Sequence, residues 1–191
     1  IDQFLDKADN IIIGGGMAFT FLKAKGRSVG GSLVDDSMIA TAKNIINRAM
    51  SKGGKIILPS DAICASSLKD GIEKELHFTE SIPENVMGLD IGPDSVKRFN
   101  SILGNSETIL WNGPMGVFEV KEFESGTREM AIHLASCVTS GSKVIVGGGD
   151  TAAAIEKFGL MNDMTHVSTG GGASLELLSG NPLPAITALE K

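Results

Sequence analysis

Three glycine triplets, Gly14-Gly15-Gly16, Gly147-Gly148-Gly149 and Gly170-Gly171-Gly172, each follow a short run that reads as a strand and precede a stretch that reads as a helix. Glycine tolerates left-handed backbone and lets other atoms approach the main chain closely, so a strand that turns at once into a helix is its natural place. Repeated along one chain, this strand–glycine–helix unit leaves few architectures open. Alternating strands and helices pack as a mostly parallel sheet with helices on both faces. The expected fold is therefore α/β, a three-layer α/β/α Rossmann-like domain with a mostly parallel, roughly six-stranded sheet.

The periodicity supports this reading element by element. Strands are expected at Ile11-Ile13, Lys55-Leu58, Gly88-Ile91, Ile109-Trp111, Val144-Val146 and His166-Ser168. Helices are expected at Met17-Lys25, Asp35-Lys52, Glu124-Ser140, Thr151-Phe158 and Ala173-Leu178, with Pro93 opening another where a first helical turn tolerates it. The Asp35-Lys52 helix carries Met38, Ala42, Ile45, Ile46 and Ala49 on one face and stops at Gly53-Gly54. Ser60-Asn85 is the least regular stretch and reads as loops with a short helix and an edge strand. No linker or internal repeat divides the chain, so residues 1–191 are taken as one domain. The opening Ile1-Asp2-Gln3-Phe4-Leu5 reads as the interior of a helix and suggests a fragment.

Composition excludes several classes. A net charge of −6 with no basic stripe argues against nucleic acid as a partner. No apolar run approaches the roughly 18 residues that suggest a membrane span, and no signal peptide is visible. Cys64 and Cys137 lack metal-site spacing and read as buried thiols in a reducing compartment, which points to a cytoplasmic protein. Glycine itself is in excess, at 24 of 191 residues. Because the chain is not low-complexity, that excess implicates turns and ligand contacts.

The triplets lie where ligands collect, at the carboxyl edge of a parallel sheet. A helix start offers unpaired N–H groups and partial positive charge, both suited to phosphate. There is no G-x-x-x-x-G-K-S/T motif, so a Walker-type site is excluded. Gly147-x-Gly149-x-x-Ala152 matches a loose dinucleotide pattern, but its helix begins with Asp150, which would repel a bare pyrophosphate. A carboxylate at that place makes sense if Mg2+ lies between it and the phosphates; the plainer alternative is a helix N-cap. Trp111-Asn112-Gly113-Pro114-Met115-Gly116-Val117-Phe118-Glu119 suits a ribose pocket, with Glu119 accepting from the hydroxyls and Pro114 and Phe118 as a wall. Its plainer reading is a loop with an exposed acid.

The segments IIIGGGMAFTFLKAKG, GLDIGPDSVKRF, TILWNGPMGVFE, KVIVGGGDTAAAIEK and HVSTGGGASLELLSG together closely resemble the carboxyl-terminal, nucleotide-binding half of phosphoglycerate kinases. The resemblance implies Mg-ADP and Mg-ATP as ligands, with a phosphoryl group moving between 1,3-bisphosphoglycerate and ADP to give 3-phosphoglycerate and ATP. It places Gly14, Gly15, Gly88 and Leu89 along the adenine. Asn112, Pro114 and Glu119 fall at the ribose and nearby phosphates, Asp150 on Mg2+, and Gly148, Gly149 and Thr151 on the phosphate chain. Gly171 and Gly172 would meet the group in transfer, making Gly149 and Gly172 the catalytic positions. The resemblance also implies an amino-terminal domain that binds the phosphoglycerate, a monomeric full-length enzyme, and a cytoplasmic or plastid location. The 191-residue chain alone is expected to bind adenine nucleotide weakly and to turn over nothing. Two readings of other classes stand beside this one: a non-catalytic nucleotide-binding module and an NAD-dependent dehydrogenase domain. Leu68, where the family has an aromatic beside adenine, and Val86, where a tryptophan is usual, depart from the family pattern.

Overall fold

The computed structural model describes residues 1–168, so the third triplet and the Ala173-Leu178 helix lie outside the described residues. The chain forms two compact units. One comprises Ile1–Ile102 with Pro114–Met130; the other comprises Leu103–Gly113 with the chain from Ala131 onward.

In the larger unit, β1 (Ile11–Ile12) leads into α1 (Gly15–Ala24), then β2 (Ser28–Val29), α2 (Ile39–Ser51), β3 (Ile56–Ile57) and β4 (Asp61–Ala65). Next come β5 (Glu75–Phe78), β6 (Ser81–Ile82), β7 (Met87–Ile91) and α3 (Pro93–Leu103), whose last residue lies past the unit boundary. Strands β1 and β3 pair in parallel, as do β2 and β6, whereas β4 runs antiparallel to both β5 and β7. Helix α1 buries Ala18, Phe19, Thr20, Phe21 and Leu22 in succession because it serves two cores, and leaves Met17 and Lys23 exposed. Ala18 and Phe21 join Leu5, Ile13, Ala42, Ile45 and Ala49, while Phe19 and Leu22 join Val29, Ala62, Cys64, Ile82 and Val86. In α2 the expected face is buried at Ala42, Ile45 and Ala49; Met38 falls in a preceding 3-10 turn and is exposed.

The smaller unit holds β8 (Thr108–Asn112), then, after α4 (Ser125–Thr139) has carried the chain back across the boundary, β9 (Lys143–Gly147), α5 (Gly149–Lys157) and β10 (His166–Ser168). Its three strands are all parallel, with β9 in the middle. Four of the six strand pairings among the described residues are thus parallel, as the alternation requires. The ladders form four short sheets of two or three strands. Pro59, which cannot donate to a ladder, follows β3 closely, and a register shift between Ile63 and Cys64 interrupts the β4–β7 pairing.

Ser60-Asn85 differs from expectation: it contains β4, β5 and β6 and no helix. Strand β4 is buried at four of its five residues, so it shows no alternation, and its first residue, Asp61, reads locally as a turn. Asp61 is buried because it serves other elements. Its carboxylate accepts the N–H groups of Asp94 (3.0 Å) and Ser95 (2.7 Å) and the Ser95 hydroxyl (2.5 Å), satisfying the free start of α3. Asp90 on β7 does the same for α4, accepting Gly126 N–H at 2.6 Å, with its neighbour Ile91 N–H at 2.9 Å. Both cysteines are free and buried.

Burial pushes the Asp90 carboxyl up from 3.8 to about 7, against the lowering effect of the two N–H donors and the charge of Lys74. The folded protein therefore keeps a proton that the unfolded chain has already released, and stability falls as pH rises from about 4 to about 7. Asp90→Asn lacks this titration. Urea unfolding should show wild type losing on the order of 2 kcal/mol relative to Asp90→Asn between about pH 5 and about pH 8, with no further divergence above.

Candidate functional site

In the larger unit the turn from β1 into α1 is built on Gly14 and Gly15. Gly15 has φ +58°, and a Cβ there would lie 2.7 Å from the Pro114 carbonyl oxygen. A Cβ on Gly14 would collide with the Met115 sulfur. Gly15 N–H donates to Met115 O at 3.2 Å, closing the contact. Two stretches selected separately from the sequence, the first triplet and the Pro114–Glu119 loop, are therefore packed together. The third glycine, Gly16, is covered instead by Leu33, whose Cδ2 lies 3.1 Å from where its Cβ would be. Leu33 is 77% exposed and Met17 is 56% exposed, so an apolar surface faces solvent at the first triplet. Sequence reasoning passed over Leu33, because one leucine in a loop carries no periodic signal.

Gly88 and Leu89, expected beside this turn, lie on β7. Gly88 is buried beneath the Phe19 ring, which occupies the place of its missing Cβ, and its N–H donates to Ser32 Oγ at 2.9 Å. Leu89 is half-buried, and its carbonyl accepts Val117 N–H at 2.9 Å. In the loop, Pro114 is half-buried and Glu119 is exposed and unpaired among the described residues. Phe118 is buried in the core, so its contribution to the loop is anchorage. Leu68 is half-exposed and Val86 is buried.

In the smaller unit the parallel register aligns Asn112 with Gly147 and Gly147 with Ser168, so the ends of β8, β9 and β10 share one carboxyl edge. Gly148 turns out of β9 at φ +96°, donates its N–H to Ser168 O at 3.1 Å, and forms the N-cap of α5. The Asn112 Oδ1 would be 2.7 Å from a Cβ on Gly148. A Cβ on Gly149, by contrast, would meet no atom of the described residues. The first N–H groups of α5 have no carbonyl within the helix to bond, and no side chain among the described residues caps them. Asp150, in that first turn, is exposed and unpaired among the described residues.

Thr151, expected on the phosphate chain, has its side chain engaged within the protein. It is buried, and its hydroxyl accepts Gly113 N–H at 2.7 Å, tying the turn after β8 to α5. The Trp111 indole N–H donates to the Gly113 carbonyl at 2.8 Å, so Gly113 is held from both sides. Gly171 and Gly172 lie outside the described residues.

The edge therefore presents hard oxygen donors, open N–H groups and a glycine surface. Asp150 fits a Mg2+ ion held by a single protein carboxylate together with ligand phosphates. No cluster of three or more His, Cys, Asp or Glu side chains suited to a metal occurs among the described residues.

The Gly14–Gly15 geometry yields a stability test. Gly15→Ala should destabilise by about 1–2 kcal/mol through left-handed strain, with the Pro114 carbonyl adding to the penalty. Gly14→Ala should cost less, because the flexible Met115 thioether can turn aside. Thermal melts of the two variants read the order directly.

Comparison with known proteins gives a consistent result. The phosphoglycerate kinase family model matches residues 1–181. A phosphoglycerate kinase of Thermosipho africanus is 51% identical over 190 residues, covering 99% of this chain and 47% of that protein. A cytosolic phosphoglycerate kinase of Triticum aestivum is 48% identical over 191 residues, covering 100% of this chain and 48% of that protein. The solved structure of phosphoglycerate kinase from Coxiella burnetii superposes with a TM-score of 0.91 at 41% identity, over 97% of this chain and 47% of that one. The chain spans about half the length of the curated relatives it matches. With its glycine-lined strand ends, its Asp150-led helix and this likeness over nearly its whole length, the chain belongs to the phosphoglycerate kinase family.

Proposed function

We propose that residues 1–191 act as one nucleotide-binding domain that holds Mg-ADP or Mg-ATP for reversible phosphoryl transfer between 1,3-bisphosphoglycerate and ADP. The observation that carries this reading is the shared edge of Asn112, Gly147 and Ser168, followed by the open, uncapped start of α5 with its unpaired Asp150. The relatives' names supply the reaction.

In the larger unit, Gly14, Gly15, Gly88 and Leu89 serve the adenine. The exposed Leu33 and Met17 offer apolar contact for a flat base, and Pro114 and Glu119 serve the ribose, Glu119 as acceptor for its hydroxyls. In the smaller unit, Gly148, Gly149 and the N–H of Thr151 take phosphate oxygens at the positive end of α5. Asn112 supplies a polar group beside Gly148. Asp150 holds Mg2+, and the bound ion offsets the phosphate charge. Gly149 has the open face that a phosphoryl group needs, and Gly171 and Gly172 are assigned the group in transfer. No acid or base is required: the acceptor is already an ionised phosphate or carboxylate, so the protein's work is alignment and charge stabilisation.

The phosphoglycerate and its cationic partners are assigned to an amino-terminal domain, in a full-length enzyme that is monomeric. The division between domains follows the chain's half-length coverage of its relatives and its own net charge of −6, and the monomeric state follows the family resemblance. Lys143 begins β9, at the end of the strand away from Gly147, and the Lys55 ammonium donates to Ala8 O. The proposed location is the cytoplasm, as in the wheat relative's name, with a plastid as the alternative. No helix among the described residues is long and apolar enough to cross a membrane.

Calorimetric titration with ADP and with NAD, each with and without Mg2+, separates the readings. ADP should bind in a Mg2+-dependent way and NAD should not; tighter binding of NAD would restore the dehydrogenase reading. Asp150→Ala should abolish the Mg2+ enhancement. Gly149→Ala should leave the melting temperature within a few degrees, since its Cβ meets nothing, yet weaken Mg-ADP binding roughly tenfold or more by blocking phosphate approach. The purified 191-residue chain should show no phosphoglycerate kinase turnover in a coupled assay, and measurable turnover would refute the division of labour between domains.

A further inference from the structure

Thr127 stands two residues into α4 and is fully buried, yet nothing in the proposed chemistry uses it. Its hydroxyl oxygen accepts two main-chain N–H groups, from Met115 and Gly116, each at 3.1 Å. The same Met115 accepts the Gly15 N–H and sets its sulfur in the space left by Gly14. On its other side the turn is bounded by the Asp90 carboxylate, which fills the place of a Cβ on Gly116 and caps α4 at Gly126. A hydroxyl has two acceptor sites, and both are directed at successive amides of one turn. The turn is fixed from below by Thr127 and presents Pro114 and the first glycine pair above.

We propose that Thr127 is a positioning residue for the adenosine part of the nucleotide: its hydroxyl holds the Pro114–Gly116 turn in the register that Gly14 and Gly15 require. The proposal rests on the nucleotide reading above and adds a residue to it. Thr127 touches no ligand. It acts through the turn, and a turn displaced by even an ångström loses the alignment that a rigid base and sugar need.

Thr127→Val keeps the shape and removes the acceptor, leaving two amides without partners. Thr127→Ser restores the acceptor. Calorimetry with Mg-ADP and with Mg-pyrophosphate, run well below each variant's melting temperature, reads the effect. The expected result is roughly tenfold weaker Mg-ADP binding in Thr127→Val, near-wild-type binding in Thr127→Ser, and unchanged pyrophosphate binding. A residue that only supports the fold would lower the melting temperature and leave ADP affinity alone.

A folded Thr127→Val that binds Mg-ADP like wild type overturns the proposal while leaving the nucleotide reading intact. Equal losses for ADP and pyrophosphate also overturn it. Failure of the wild-type chain to bind Mg-ADP removes the nucleotide reading, and the proposal falls with it. Should Thr127→Val not fold, Gly116→Ala displaces the same turn from the Asp90 side with the hydroxyl kept. Weakened ADP binding with pyrophosphate unchanged supports the proposal, and unchanged ADP binding overturns it.

Discussion

Two carboxylates removed from water organise the larger unit. A buried carboxylate is stable only where donors surround it, and the starts of helices are the richest source of donors that a fold contains. Asp61 and Asp90, on the paired strands β4 and β7, each take the first amides of a helix. The exchange satisfies both sides at once and fixes where α3 and α4 leave the sheet. It also dictates composition nearby: Gly92, Gly116 and Gly126 have no room for a Cβ, because the two carboxylates occupy it. The loop after Gly113 inherits its path from this arrangement, through Gly116 against Asp90 and Thr127 against the adjacent amides.

The glycines consequently fall into two physical kinds. Gly14, Gly15, Gly88 and Gly116 are confined by neighbouring protein atoms, and a side chain at any of them has first to displace part of the fold. Gly149 is confined by nothing among the described residues. The two kinds look identical in sequence, since each triplet contains the same letters.

What was legible followed from locality. Runs such as Ile11-Ile12 and Val144-Ile145-Val146 announce strands because β-branched residues crowd together, and Pro93 opens α3 where its missing N–H is harmless. The shared carboxyl edge of β8, β9 and β10 was legible too, because parallel strands of one sheet end on the same side. Strands β4 and β5 were hidden. Asp61-Ala-Ile-Cys-Ala alternates in neither polarity nor size, and its strand character comes from partners eleven or more residues away, such as Phe78 opposite Asp61. The part played by the Thr151 hydroxyl was hidden for a similar reason: it answers an amide at Gly113, a pairing across 38 positions that no local pattern reveals. Leu33 was invisible because an exposed leucine becomes informative only once Gly16 is found beside it.

Trp111 is the only tryptophan in a chain without tyrosine, and its indole N–H is bonded to the carbonyl of Gly113, where the chain leaves one unit for the other. Indole emission shifts with the polarity and hydrogen bonding of its surroundings. The protein therefore carries an optical reporter at its unit crossing, free of interference from any second fluorophore of comparable strength. Rearrangement of that turn, whether through ligand uptake, a partner domain or unfolding, has a single spectroscopic origin and can be followed in solution without a label.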